Sequence, residues 1–199
     1  MPPTSRLAYA ALAVADTALA ATGRDRARRA TKPLLMPVLA LQRDVPTRRA
    51  LAAGGVGDVA LLGSGEVAFT AGLGSFLLGH VAWVAALRGR PGGGVVRRRP
   101  MLALPYALVL VGFNAYLWSR TGKDRIPVLV YSAALTATAV AALDSGDARA
   151  ALGGALFLSS DGLLALERFA DVHLPAHEGL VMASYTAAQG LLAAGGSTS

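Results

Sequence analysis

The 199-residue sequence contains no cysteine, which removes a thiol nucleophile, a thiolate metal site and any disulfide or redox role together. Charged residues are scarce, at 16% against the ~25% usual in soluble domains, and aromatic residues reach only 6%. A hydrophobic share of 54% and a mean hydropathy of +0.48 therefore rest on small and aliphatic side chains. Twenty-three glycines suit helices that approach closely in lipid. This composition excludes a disordered chain, a disulfide scaffold and a cytosolic enzyme.

What is present is a series of apolar runs. A helix crossing ~30 Å of hydrocarbon needs ~20 mostly apolar residues, with ~17 as a lower limit. Eight stretches are candidates: 7–22, 30–42, 49–63, 67–87, 101–118, 126–143, 149–166 and 175–194. The second is short and carries Pro33 and Pro37, which remove helix hydrogen bonds, so it needs a kink or support from neighbours. Residues 7–21, with Ala18-Leu19-Ala20 near their end, resemble a signal peptide. Only Arg6 precedes that run, Asp16 interrupts it, and more apolar spans follow, so retention as a first span is expected. The connections are short, and the longest, 88–100, is a run rich in Gly and Arg. The expectation is an all-α, polytopic transmembrane bundle of about eight spans, a single integral membrane domain over 1–199.

A net charge of +7 would suggest nucleic acid in a polar protein. Here the nineteen Lys and Arg lie almost wholly between the apolar runs, a placement that fits lipid headgroups better and gives no nucleic-acid partner. With eight spans they divide ten to nine between the two ends of the bundle, so charge does not orient the chain. Arg24–Arg29, Arg120–Arg125 and Arg168 gather at one end, where they can serve as topology determinants or attract a phosphate.

An ionised side chain in mid-span costs at least ~2.5–3.5 kcal/mol on insertion scales, so each one is a functional candidate. Asp58 and Asp161 stand out. At ~1.5 Å per residue both lie on the order of 10 Å inside the end that carries Arg168, and Tyr185 lies ~14 Å inside it. Lys32 opens the second span from that end, Asn114 and Tyr116 close the fifth, Tyr131 begins the sixth, and Gln189 stands four residues after Tyr185. These groups imply one polar pocket open to that end, with both carboxylates facing it. Interhelical hydrogen bonding is the competing reading for Asn114, Gln189 and the tyrosines. Asp16 falls near a span end, where a solvated or capping role is expected. His80 reads as a satisfied bundle histidine, and Glu66 as a loop acid near a helix start. His173 and His177 have the spacing of a helical metal pair, but Pro175 and their loop position oppose it, and no metal site is expected.

The chain resembles the YhhN-like family of small membrane proteins that includes the lysoplasmalogenases. The residues that carry the likeness are Lys32-Pro33-Leu34-Leu35-Met36-Pro37, Gly57-Asp58 with Leu61-Leu62, and Phe69, Gly72, Phe76 and His80. They continue with Pro127-Val128-Leu129-Val130-Tyr131, Gly154-Ala155-Leu156-Phe157 with Ser160-Asp161, Arg168-Phe169, and Tyr185 with Gln189. The resemblance implies hydrolysis of the vinyl ether bond of a lysoplasmalogen to a fatty aldehyde and a glycerophospho-alcohol, with Asp58 and Asp161 essential. Two carboxylates in a low-dielectric pocket can divide acid and base roles; Asp161 is expected as the acid and Asp58 as the water-activating base. Lys32, Asn114, Tyr131, Tyr185, Gln189 and Arg168 are the expected substrate-binding residues, and no cofactor is needed. The expected partners are a lysophospholipid substrate and membrane lipids, without an obligate protein partner, and the expected location is the plasma membrane. A small transporter, or a non-catalytic lipid-binding protein, is the alternative.

Overall fold

The computed structural model of the protein describes residues 3–41 and 43–195, and these form helices joined by short turns, with no strand among the described residues. Eight long helices follow one another: α1 (Pro3–Ala21), α2 (Asp25–Ala40), α3 (Val45–Ala60) and α4 (Glu66–Arg88), then, after a single cationic turn α5 (Val95–Arg98), α6 (Leu104–Leu117), α7 (Arg125–Asp144), α8 (Ala148–Ala170) and α9 (His177–Ala194). Each candidate apolar run falls on one of them. Gln42, the expected end of the second run, lies outside the described residues.

The helix boundaries follow local chemistry. Asp44 caps α3 by accepting the Thr47 N–H at 3.1 Å, with Pro46 in the first turn, and Asp147 accepts the Arg149 N–H at the start of α8. These caps satisfy amides that have no partner within the helix. Helix α2 begins at Asp25 rather than near residue 30 and runs through Pro33 and Pro37. Its extra turn is held by Arg28, whose guanidinium meets Glu178 at 2.8 Å and Asp25 at 3.5 Å.

Packing closes a ring. Helices α1, α2, α3, α4, α7, α8 and α9 each lie against the preceding and following member, with α9 returning to α1, while α6 packs only beside α7. The interior holds Leu35, Met36, Leu51, Trp83, Phe157 and Leu192, all essentially inaccessible. The outside is also apolar, with Leu7, Val14, Leu78, Val81, Leu108 and Val111 well exposed. Water would disfavour so continuous an apolar exterior; acyl chains would not. Four stretches, Glu66–Arg88, Pro100–Leu117, Gly122–Asp144 and Ala148–Ala170, are long and apolar enough to cross a membrane.

Small residues set the closeness of the crossings. A Cβ on Gly154 of α8 would lie 2.8 Å from Ala139 Cα of α7, so the two backbones meet directly. Because α7 carries Tyr131 and α8 carries Asp161, that crossing brings both side chains to one level.

Candidate functional site

Asp58 lies in the last turn of α3 and is 1% exposed. The Tyr185 hydroxyl of α9 donates to its Oδ2 at 2.7 Å, and the Lys32 ammonium of α2 stands 3.4 Å from Oδ1. Three helices thus converge on one carboxylate, and Gly54 lies beside them, where a Cβ would be in ordinary contact with Gln189 Nε2 at 3.4 Å and the Tyr185 oxygen at 3.6 Å. Gln189 is buried beside them, its Oε1 without a hydrogen-bond partner among the described residues.

Asp161 belongs to a second group. The Tyr131 hydroxyl donates to its Oδ2, and His80 Nε2 lies 3.2 Å from that hydroxyl and 3.9 Å from the same Asp161 oxygen. On the far side of the ring, His80 Nδ1 meets Thr138 Oγ1 at 3.2 Å. Among the described residues no Lys or Arg reaches this carboxylate within ion-pairing distance, and 14% of its side chain is exposed. The aromatic rings of Tyr185, Phe157 and His80 are in contact, at centroid separations of 5.6 and 4.7 Å. They join the two groups through apolar contact rather than open space.

Two cavities adjoin these groups. One, of about 460 Å³, opens between α6, α7 and α8; it is walled by Val109, Leu110, Phe113, Val128, Leu135 and similar side chains, and Asp161, Tyr131, Ser132 and Asn114 supply its polar edge. The other, of about 650 Å³, is lined by Arg28, Arg29, Lys32, Arg168, Asp25, Glu167 and Glu178. Phe69, Leu164 and Arg168 line both, so the cavities adjoin across these side chains. The Arg168 guanidinium lies 3.5 Å above the Phe69 ring centroid. Asp58 lines neither cavity. Of the two groups that meet Asp58, Lys32 lines the second cavity and Tyr185 lines neither, so these two cavities do not bring the aspartates to one wall.

A family model described as the YhhN family matches residues 27–196. The chain belongs to the YhhN family. Curated relatives named lysoplasmalogenase, from Mycobacterium bovis and Mycobacterium tuberculosis, are each 34% identical over 140 residues, covering 64% of this chain. That match covers 51% of each relative, so the chain spans about half the length of the curated relatives it matches. No solved structure matches it.

In this YhhN-family protein the expected site residues fall into clear places. Lys32, Asp58, Tyr185 and Gln189 come together, and Tyr131 meets Asp161. Asn114 lines the apolar cavity, but its amide is engaged with Ser132 Oγ at 2.9 Å and the Leu110 carbonyl at 2.8 Å, bonding α6 to α7. Tyr116 points away, with the Arg120 guanidinium over its ring. Asp16, expected at a solvated span end, is fully buried; it accepts the Thr31 hydroxyl at 2.6 Å and faces Arg28 at 3.7 Å. Packing of α1 against α2 and α9 covers it, which the sequence of α1 alone does not reveal. Glu66 pairs with Lys123 across the loops. His173 lies on Asp171 and His177 on the Leu163 carbonyl, and no group of three or more His, Asp or Glu among the described residues is arranged to hold a metal. His80 is the residue the sequence undervalued. Its stripe with Phe69, Gly72 and Phe76 marked an inward face, but only the tertiary fold reveals that this face meets Tyr131.

Proposed function

We propose that this protein is a membrane-embedded hydrolase, an eight-span bundle of the cell membrane, that cleaves the vinyl ether bond of lysoplasmalogens to a fatty aldehyde and a glycerophospho-alcohol. The name shared by the curated relatives supports the substrate class. The observation that carries the chemistry is a single carboxyl, Asp161, held by Tyr131 at the wall of an apolar cavity that adjoins a basic one at Arg168.

A single hydrocarbon chain is matched to the apolar cavity, because it leaves water without forfeiting hydrogen bonds. A phosphodiester is matched to the cavity of Arg29, Lys32 and Arg168, whose donors are charge-assisted. The ether bond between them then lies near Phe69 and Leu164, within reach of Asp161. Asp161 as a carboxylic acid donates its proton to the outer alkene carbon, and an oxocarbenium-like centre forms at the carbon bonded to oxygen. Water adds there and loses one proton to the Asp161 carboxylate. The hemiacetal then collapses: its hydroxyl proton is removed, the glycerol oxygen leaves and takes up a proton, and the carbonyl forms. Protons balance over the cycle, and no cofactor takes part.

Asp58 is the second essential carboxylate of this proposal. Enclosed by Tyr185 and Lys32, it acts by holding the Lys32 ammonium at the rim of the basic cavity rather than by taking a proton from water itself. The experiment is aldehyde release from a lysoplasmenyl lipid by detergent-purified protein, alongside Asp58→Asn and Asp161→Asn. Release by the parent and severe loss in both variants supports the proposal. Full turnover in Asp161→Asn, or no aldehyde from any vinyl ether lipid, overturns it in favour of transport or lipid binding.

A further inference from the structure

His80 is 1% exposed and lines neither cavity, yet both of its ring nitrogens are engaged. From α7 it is faced by Tyr131 and Thr138, and from α8 by Asp161 and Phe157. A histidine needed only to fill space has no use for a chain of hydroxyls on both sides. The direction of these hydrogen bonds can be followed donor by donor.

When Asp161 and His80 hold one proton between them beyond the Nδ1–H, two complete arrangements exist. With Asp161 protonated, its O–H donates to the Tyr131 oxygen and the Tyr131 O–H donates to His80 Nε2. His80 Nδ1–H then donates to Thr138 Oγ1, and Thr138 donates to the Ala134 carbonyl, 3.1 Å away. With Asp161 ionised, Nε2–H donates to Tyr131, whose O–H donates to the carboxylate, and the Nδ1 end is unchanged. The two arrangements differ by the movement of one proton along Asp161, Tyr131 and His80. No side chain has to rotate, and no donor is left without an acceptor. A buried network that stays satisfied in both states avoids the cost of an orphaned polar group.

We propose that His80 is a positioning residue that shares one proton with Asp161 through Tyr131. This deepens the hydrolase reading and rests on it for its catalytic consequence. His80 Nε2–H gives its proton to the Tyr131 oxygen, Tyr131 gives its own to the Asp161 carboxylate, and Asp161 gives one to the substrate carbon. The proton released when water adds returns by the same path, so the His80 imidazolium, the phenol and the Asp161 carboxylate all end as they began. His80 never touches substrate.

The test is a double-mutant cycle with a spectroscopic arm. In His80→Gln an amide N–H can still donate to Tyr131, but it cannot pass a proton on. That variant, and Tyr131→Phe, each lower kcat by about 10–100-fold, the range for partners that orient a reacting group from behind, with KM within about twofold. The double variant is no slower than either single one, because both cut the same path. Losses that multiply in the double variant, a rise in KM, or an undiminished kcat in His80→Gln overturn the proposal. The second arm needs no turnover: in protein labelled with 15N-histidine, the His80 Nε2 resonance moves on Asp161→Asn and on Tyr131→Phe. A resonance indifferent to both overturns the shared proton even if either histidine or tyrosine variant folds poorly. If the parent releases no aldehyde while the resonance does move, the hydrolase reading fails and the proton path stands.

Discussion

The two aspartates at the candidate site are met by opposite kinds of partner. Asp58 is 1% exposed, with an ammonium on one oxygen and a phenol on the other. Asp161 is partly open to an apolar cavity and is met by a phenol and an imidazole. A carboxylate and an ammonium buried side by side offset one another's charge, and taking either member away strands the other in a low-dielectric interior. A carboxyl whose neighbours can both give and receive a proton is free to change state. Under the proposed mechanism the comparison separates a structural charge from a reactive one.

The largest expected effect falls on the reactive side. Asp161→Asn removes the proton donor and keeps the size of the side chain, so aldehyde release drops by roughly 10²–10⁴-fold, the usual contribution of a positioned acid. Thermal unfolding in detergent moves less than for Asp58→Asn, because no Lys or Arg is stranded and the Asn oxygen still accepts the Tyr131 hydroxyl. If release persists, or if unfolding shifts as far as it does for Asp58→Asn, the division between the two carboxylates is broken.

On the structural side the larger signal is stability. Asp58→Asn leaves the Lys32 ammonium buried without its counter-charge, which costs about 3–5 kcal/mol. Replacing both members, as Lys32→Met with Asp58→Leu, regains most of that stability, since an apolar pair of similar volume carries no desolvation penalty. Activity does not return, because the cation at the cavity rim is gone. Recovery of turnover in the double variant would make the pair dispensable and place the chemistry entirely at Asp161.

Much of this contrast was beyond the reach of the sequence. Residue counting at a fixed rise assigns Asp58, Asp161, Tyr131 and Tyr185 an expected depth, and the ordered set of family residues was legible. Rotation about each helix axis and the choice of neighbour are tertiary. Nothing in α4 says that His80 meets α7, and nothing in α1 says that Asp16 meets Arg28. The partners of each carboxylate are tertiary for the same reason: in the closed ring α4 and α7 stand between α3 and α8, and the rings of Tyr185, Phe157 and His80 link the two groups. Helix α2 was read too short because its first turns are rich in arginine, and only the acids of other helices explain how those turns are held.

Arg168 sharpens the comparison from outside both groups, because it belongs to both cavities. Arg168→Gln keeps some packing on Phe69 but loses the charge-assisted donors. With a phosphate as the ligand, KM rises by about tenfold, consistent with ~1.4 kcal/mol from one partly solvated charged hydrogen bond, and kcat stays close to the parent value. A fall in kcat with unchanged KM would instead tie Arg168 to the reacting carbon.

The smallest effects come from the crossings that support each aspartate. A Cβ on Gly154 meets Ala139 Cα at 2.8 Å and Ala142 Cβ at 3.0 Å; backbone cannot swing aside, so Gly154→Ala separates α7 from α8 and costs about 1–3 kcal/mol. A Cβ on Gly57 meets the Phe76 ring at 2.7 Å, and a half-buried ring can turn away. Gly57→Ala is therefore the milder of the two in thermal unfolding. The separation of α7 from α8 also loosens Tyr131 from Asp161, so Gly154→Ala lowers kcat more than its effect on stability alone would suggest. Gly57→Ala disturbs Phe76 and, through ring contact at 5.9 Å, Tyr185 beside the structural carboxylate, and so changes unfolding more than turnover. Equal ratios of kcat loss to stability loss in the two alanine variants would mean that both aspartates depend on their helix crossings in the same way, and the distinction between a fixed charge and a mobile proton would have no support from the scaffold.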